Sequence, residues 1–204
     1  MSYVVGLSGT HGTGKSSIIQ GVKGLGYTVN ESQLSRAAQK ELGWDKLSHA
    51  EESIENMWML QDAILGAMYD RDFAISESKE LTFVERTPAD VWAYTAMWCE
   101  RLDIDIHSSR ARLYRAQCQQ LMHDHYAYFI YVPMTDAVPF KEEPNRADLK
   151  SRVFVAKTIE QFLMDAYRPN HFITTTTSEC RTAEAAACME LAKFLTGEKR
   201  NDND

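Results

Sequence analysis

Gly9-Thr10-His11-Gly12-Thr13-Gly14-Lys15-Ser16 is the stretch that decides how this chain folds. It follows the apolar run Tyr3-Val4-Val5-Gly6-Leu7 and opens into Ser17-Ile18-Ile19-Gln20-Gly21-Val22, which can continue as a helix. The pattern is G-x-x-x-x-G-K-S between a strand and a helix, the setting a P-loop requires. The glycines permit a tight turn that aims successive backbone N–H groups at phosphate oxygens. The first helical turn adds its own amides and the positive end of its dipole. Gly9, Thr10, His11, Gly12, Thr13, Gly14, Lys15, Ser16 and Ser17 are therefore expected to bind ATP. Lys15 would reach the β- and γ-phosphates, and the Ser16 hydroxyl would ligate Mg²⁺.

The bulk properties fit one soluble domain over residues 1–204, with a lid at about 134–152 and a polar tail at about 198–204. A formal charge of −7 argues against a broad basic surface for nucleic acid, although a local basic groove stays open. Cys99, Cys118, Cys180 and Cys188 show no C-x-x-C spacing, so reduced thiols in a cytoplasmic protein are expected rather than a disulfide framework or zinc site. No apolar run approaches the ~20 residues of a membrane span, and none resembles a signal peptide.

Working outward, strands are expected at residues 3–8, 27–30, 81–84, 128–132 and 171–174, with helices between them. Amphipathic spacing supports helices after Ser32, over Ile54–Met68, after Pro88, from Ser109, over Leu149–Ala166 and over Ala183–Leu195. Within the second of these, Trp58 and Gln61 also suit stacking and bonding to a planar base. Strands alternating with helices predict a doubly wound parallel α/β sheet of about five strands, with the P-loop strand near its middle. Ligands bind such sheets at the carboxyl edge, where Glu31 would be delivered by the second strand.

A P-loop alone does not separate a kinase from a GTPase or a motor. No N-K-x-D guanine motif occurs, and the third strand ends in Val84-Glu85-Arg86, an acid followed by a base. Glu85 would hold Mg²⁺ or its waters. Arg86 would face the transferring phosphoryl group, where a guanidinium is most useful.

Taken in order, Gly9–Ser16, Gly26-Tyr27-x-x-x-Glu31, Glu85-Arg86-Thr87, Tyr131-Val132-Pro133 and a basic run after a proline-rich loop resemble the P-loop kinases of nicotinamide riboside and deoxynucleosides. The resemblance implies that Glu31 activates the acceptor hydroxyl and that Glu85-Arg86-Thr87 serves metal and substrate. Thr87 stands where the family has Ser. It also implies a lid: Arg146, Lys150 and Arg152 would fold over the triphosphate and neutralise developing charge. Lys150 occupies a place where the family often has Arg, and so forgoes a bidentate phosphate contact. Arg181 would stack on adenine.

The expected activity is thus transfer of the ATP γ-phosphate to a nucleoside, nucleotide or related ribosyl molecule. Two alternatives stand beside it. One is a kinase acting on a modified base, such as a hydroxymethyl pyrimidine, in bacteriophage DNA, with Arg110, Arg112 and Arg115 lining the groove. The other is a nucleotide-dependent regulatory ATPase, which would not need an acid at the Glu31 position.

Overall fold

The computed structural model describes residues 3–31, 33–134 and 148–166, together with the backbone of 172–174. Its elements in chain order are β1 (Val4–Ser8), α1 (Lys15–Gly24), β2 (Thr28–Asn30), α2 (Leu34–Glu41), α3 (Ile54–Ser78), β3 (Thr82–Glu85), α4 (Pro88–Arg101), α5 (Ser109–His125), β4 (Tyr126–Tyr131), α6 (Leu149–Ala166) and β5 (Phe172–Thr174). A short 3₁₀ turn at Leu47–Glu51, not signalled by the sequence pattern, leads into α3. The strands form one sheet in the order β2-β3-β1-β4-β5, and every neighbouring pair is parallel. The P-loop strand is therefore central, with β3 and β4 on either side.

Alternation along the strands divides the core between two faces. On one face Val5 and Leu7 of β1, Phe83 of β3 and Ile130 of β4 pack against Ile18, Ile19 and Val22 of α1. On the other, Val4, Val84 and Phe129 meet Met68 of α3, Trp92 of α4, Tyr114 of α5 and Ile159 of α6. The sheet is covered on both sides, as a wholly parallel sheet requires.

The helix starts that frame the site follow from local chemistry. Thr87 caps α4 in a capping box with Asp90, and Pro88 occupies the first turn, where its missing N–H costs nothing. Ser53 caps α3 by accepting from the Asn56 amide at 3.0 Å. By contrast, α1 starts at Gly14 with no side-chain cap, so no side chain occupies the place a phosphate would take at its first turn. Pairing Leu7 with Glu85 and Ser8 with Tyr131 places the end of β3 directly beside the mouth of the loop.

The part of the expected lid before residue 148, with Arg146, lies outside the described residues, as do Arg181 and the helix expected over residues 183–195. So do Cys180 and Cys188.

Candidate active site

The loop is held from within and from both flanks. Lys15 is 3% exposed, and its Nζ donates to the Thr10 carbonyl at 2.7 Å. The Thr13 hydroxyl donates to the same carbonyl at 3.0 Å. Gly9 has φ 154°, and a Cβ there would lie 2.5 Å from the Val132 carbonyl oxygen, so the close approach of β4 demands glycine. Burial, followed by the nearby Arg86 cation, lowers the Lys15 pKa to about 7. Asp90 and Glu85 oppose that shift without cancelling it. The lysine is thus poised to gain from a polyphosphate beside it.

From the β3 side, Ser16 Oγ donates to both Glu85 carboxylate oxygens, at 3.0 and 3.2 Å. Two hard oxygen donors are thereby brought together at the mouth of the loop, the donor chemistry that Mg²⁺ takes. Arg86 Nη1 lies 3.3 Å from the Gly9 carbonyl and 3.2 Å from Asp90 Oδ1. Its guanidinium also lies over the Tyr94 ring, 5.3 Å from the centroid. Partial burial works to lower the Arg86 pKa, but Tyr94, Asp90 and Glu85 outweigh it, and the group is held above the ordinary arginine range.

Asp90 was not singled out by the sequence reading, yet it joins the elements. Its Oδ1 accepts from the Gly9 amide at 3.2 Å as well as from Arg86. Its Oδ2 accepts from the Thr87 amide and hydroxyl at 3.1 and 3.0 Å. The signal was present as the T-x-x-D capping pattern of Thr87–Asp90. One turn further along α4, the Tyr94 hydroxyl bonds His11 Nδ1 at 3.0 Å. His11 thus orders the loop against α4.

Arg152 arrives from α6. It is 2% exposed, and its Nε donates to the His11 carbonyl at 3.1 Å. Its guanidinium covers Gly12, where φ is 73° and an added Cβ would come within 3.2 Å of Nη2. The structure therefore places Arg152 on the loop itself rather than on an outer flap. Lys150, two residues earlier, is exposed on the first turn of α6, as Ser17 is on the first turn of α1.

Glu31 departs from expectation. It does follow β2 at the carboxyl edge, but its carboxylate turns onto α1, accepting from Lys23 Nζ and Gln20 Nε2, both at 2.8 Å. Tyr27 and Val29 pack on the α1 face, and Glu31 shares their parity, so its side chain leaves the sheet on that side. The Lys23 ammonium, bonded to it, holds the carboxyl below its usual pKa. Activation of an acceptor is not supported by this arrangement.

The second helical stripe is also mostly structural. Gln61 is buried, with Oε1 accepting from Thr95 Oγ1 at 2.9 Å, and Trp58 packs on Tyr114 beneath Arg110. The basic cluster on α5 is partly consumed. Arg110 pairs with Asp62, and Arg115 with Asp165 at 2.8 Å.

A parallel sheet flanked by helices, with the loop at its centre and cations gathered on it, defines a P-loop protein with a kinase-like fold. The chain belongs to the AAA_28 family, an AAA domain, which it matches over residues 4–181. No curated protein matches the sequence significantly. Among solved structures, deoxyadenosine kinase from M. mycoides, bound to dCMP and dCDP as products, shares 13% identity at a TM-score of 0.66, with 94% of this chain and 99% of that one covered. NadR in complex with NAD and AMP-PNP shares 13% at 0.61, covering 100% of this chain and 52% of that one. Shikimate kinase from Acinetobacter baumannii shares 9% at 0.56, covering 98% and 97%. These are likenesses of fold. Among the described residues, no helix is long and apolar enough to cross a membrane.

Proposed function

We propose that this protein is an ATP-dependent kinase that moves the γ-phosphoryl group to a small acceptor of the nucleoside or nucleotide class. One observation carries the reading: Lys15 from α1, Arg86 from the turn after β3 and Arg152 from α6 meet on one loop, beside the Ser16–Glu85 pair. A regulatory module needs a P-loop, but it does not need this much positive charge arranged where a phosphoryl group would leave. The pairing of Arg110 and Arg115 within the protein weighs against a DNA groove on α5. We place the enzyme in the cytoplasm, acting as a single domain, in keeping with the free buried thiols of Cys99 and Cys118.

In the reaction, an acceptor oxygen bonds to the γ-phosphorus while the bond from that phosphorus to the β,γ-bridging oxygen breaks, and ADP departs with the electron pair. A hydroxyl acceptor gives up its proton to solvent, and a phosphate acceptor has none to lose. Lys15 neutralises the β- and γ-phosphates once it leaves the Thr10 carbonyl. Arg86 and Arg152 stabilise the charge that spreads over the equatorial oxygens. Ser16 and Glu85 would hold Mg²⁺, which when bound shields the phosphate charge. Arg146 and Arg181 are candidates for the lid and for stacking on adenine. Catalysis in this scheme is chiefly positioning and charge stabilisation.

The test is an ATP-consumption screen against nucleosides, nucleoside monophosphates, nicotinamide riboside and DNA carrying hydroxymethyl pyrimidines. Acceptor-dependent turnover with one small-molecule class is the expected result. Turnover with modified DNA alone would move the acceptor to the nucleic acid, and slow acceptor-independent hydrolysis with every compound would make the protein a regulatory ATPase.

A further inference from the structure

Arg71 lies inside α3 and is 8% exposed, yet none of the phosphate chemistry above uses it. Four hydrogen bonds engage all three of its nitrogens. Nε bonds Asp72 Oδ1 at 2.7 Å, and Nη2 bonds the Tyr126 hydroxyl at 2.8 Å. Nη1 and Nη2 also reach the carbonyls of Glu85 and Arg86, each at 3.2 Å. None of these bonds goes to the P-loop. A guanidinium buried this deeply is tolerated only when its N–H groups are satisfied. Here two of its partners are the main-chain oxygens of the consecutive residues that supply the site's carboxylate and its second cation.

That corner of the chain needs holding. Successive side chains on a strand point to opposite faces, so an extended backbone would separate Glu85 from Arg86. Instead Arg86 has φ 72°, a left-handed conformation that a non-glycine residue keeps only where its surroundings impose it. The reversal lets Glu85 bond Ser16 while Arg86 turns to Gly9 and Asp90. Both residues then serve the same loop.

We propose that Arg71 is a positioning residue for phosphoryl transfer: by gripping the Glu85 and Arg86 carbonyls it fixes the left-handed corner that aims Arg86 at the P-loop. The proposal rests on the kinase reading of the site. Arg71 touches neither nucleotide nor acceptor in this role and acts through Arg86.

The experiment uses Arg71→Lys, which keeps a cation beside Asp72 but cannot span both carbonyls and the Tyr126 hydroxyl. Tyr126→Phe, which removes one partner of Nη2, is the gentler variant. The probe is ADP with Mg²⁺ and aluminium fluoride, a mimic of the transferring phosphoryl group that requires no acceptor. ADP without magnesium is the ground-state control, and a melting curve reports the fold. Arg71→Lys should weaken the aluminium fluoride complex by about tenfold or more, the range of a misplaced charge donor, and leave ADP affinity within about twofold. Tyr126→Phe should show the same pattern at smaller size. In an Arg86→Ala background, Arg71→Lys should add little, because the group it positions is gone.

Unchanged binding of the complex by folded Arg71→Lys would overturn the proposal. So would equal losses for ADP and the complex, or losses that multiply in the double variant. If Arg71→Lys does not fold, Tyr126→Phe decides by the same criteria. A wild-type protein that binds ADP but never forms the aluminium fluoride complex would sink the kinase reading and this role together. A wild-type complex matched by folded Arg71→Lys would remove the role of Arg71 alone.

Discussion

Strand β3 ends in Glu85 and strand β2 runs into Glu31, so two glutamates reach the same edge of the sheet on neighbouring strands. Glu85 bonds the P-loop serine, its carbonyl is gripped from the far face by Arg71, and the residue after it is locked in a left-handed turn. Glu31 has none of that support. Its side chain is 41% exposed and bonds the outer surface of α1 through Lys23 and Gln20. Reaching the carboxyl edge is thus insufficient for a role at the phosphates. Both carboxylates leave the sheet on the α1 side. What separates them is where they meet α1, at Ser16 in its first turn or at Gln20 and Lys23 further along, and the buried groups that take hold of the main chain behind Glu85.

The sharpest way to break this contrast is to remove charge from the supported side. Lys15→Ala should cut phosphoryl transfer by about 10³-fold, the upper end for loss of one preorganised donor, while melting stays close to wild type. Near-normal turnover in a folded variant would end the kinase reading.

Arg152→Ala should lower kcat by about 10²-fold and change ATP affinity much less, because its charge is needed most in the transition state. Steady-state kinetics with direct ATP binding separates the two. A pure loss of ATP affinity would make Arg152 a ground-state contact.

A smaller effect concerns pH. ATP binding favours the Lys15 ammonium, and in the nucleotide-free protein burial and Arg86 bring its pKa to about 7. Above that value each binding event must take up a proton, so affinity should fall as pH rises, by up to about tenfold per unit. Calorimetric titration between pH 7 and pH 9, in buffers of different ionisation enthalpy, measures both the slope and the proton uptake. Lys15→Met should bind more weakly and show no such slope. A flat profile in the wild type would place the Lys15 pKa well above this range.

The smallest effect belongs to the unsupported glutamate. Glu31→Gln should change kcat by less than about threefold, against the 10²–10⁴-fold cost of deleting a general base. A loss in the larger range would show that Glu31 swings from Lys23 to the acceptor during turnover.

Much of this was legible before any coordinates. The loop, the parallel sheet, the central strand and the helix limits follow from glycine placement, apolar runs and caps, all short-range signals. The pairing of Ser16 with Glu85 was legible too, because a P-loop serine and an acid ending a neighbouring strand converge in this topology. The Glu31 direction was available in principle, since Tyr27, Val29 and Glu31 alternate onto one face. Parity puts Glu85 on that face as well, so it does not say which of the two meets the P-loop. Arg71 could not be read at all: an arginine in a long helix beside Asp70 and Asp72 looks like a solvated surface residue. Only the tertiary packing that brings Tyr126 and the end of β3 to it reveals what it does.

The bond from Arg152 to the His11 carbonyl joins residues 141 positions apart, and this separation bears on the protein's synthesis. The loop is made before β3 and β4, and β1 has no neighbour until β3 is present and is not flanked on both sides until β4 follows. The guanidinium that covers Gly12 emerges later still. Contacts of such long range carry a large loop-closure cost and form slowly, so a growing chain carries the phosphate motif without a finished pocket until Arg152 has been added. Nucleotide can stabilise only the state that binds it. ATP is therefore expected to protect the completed protein against proteolysis while leaving a chain that stops before α6 as susceptible as before.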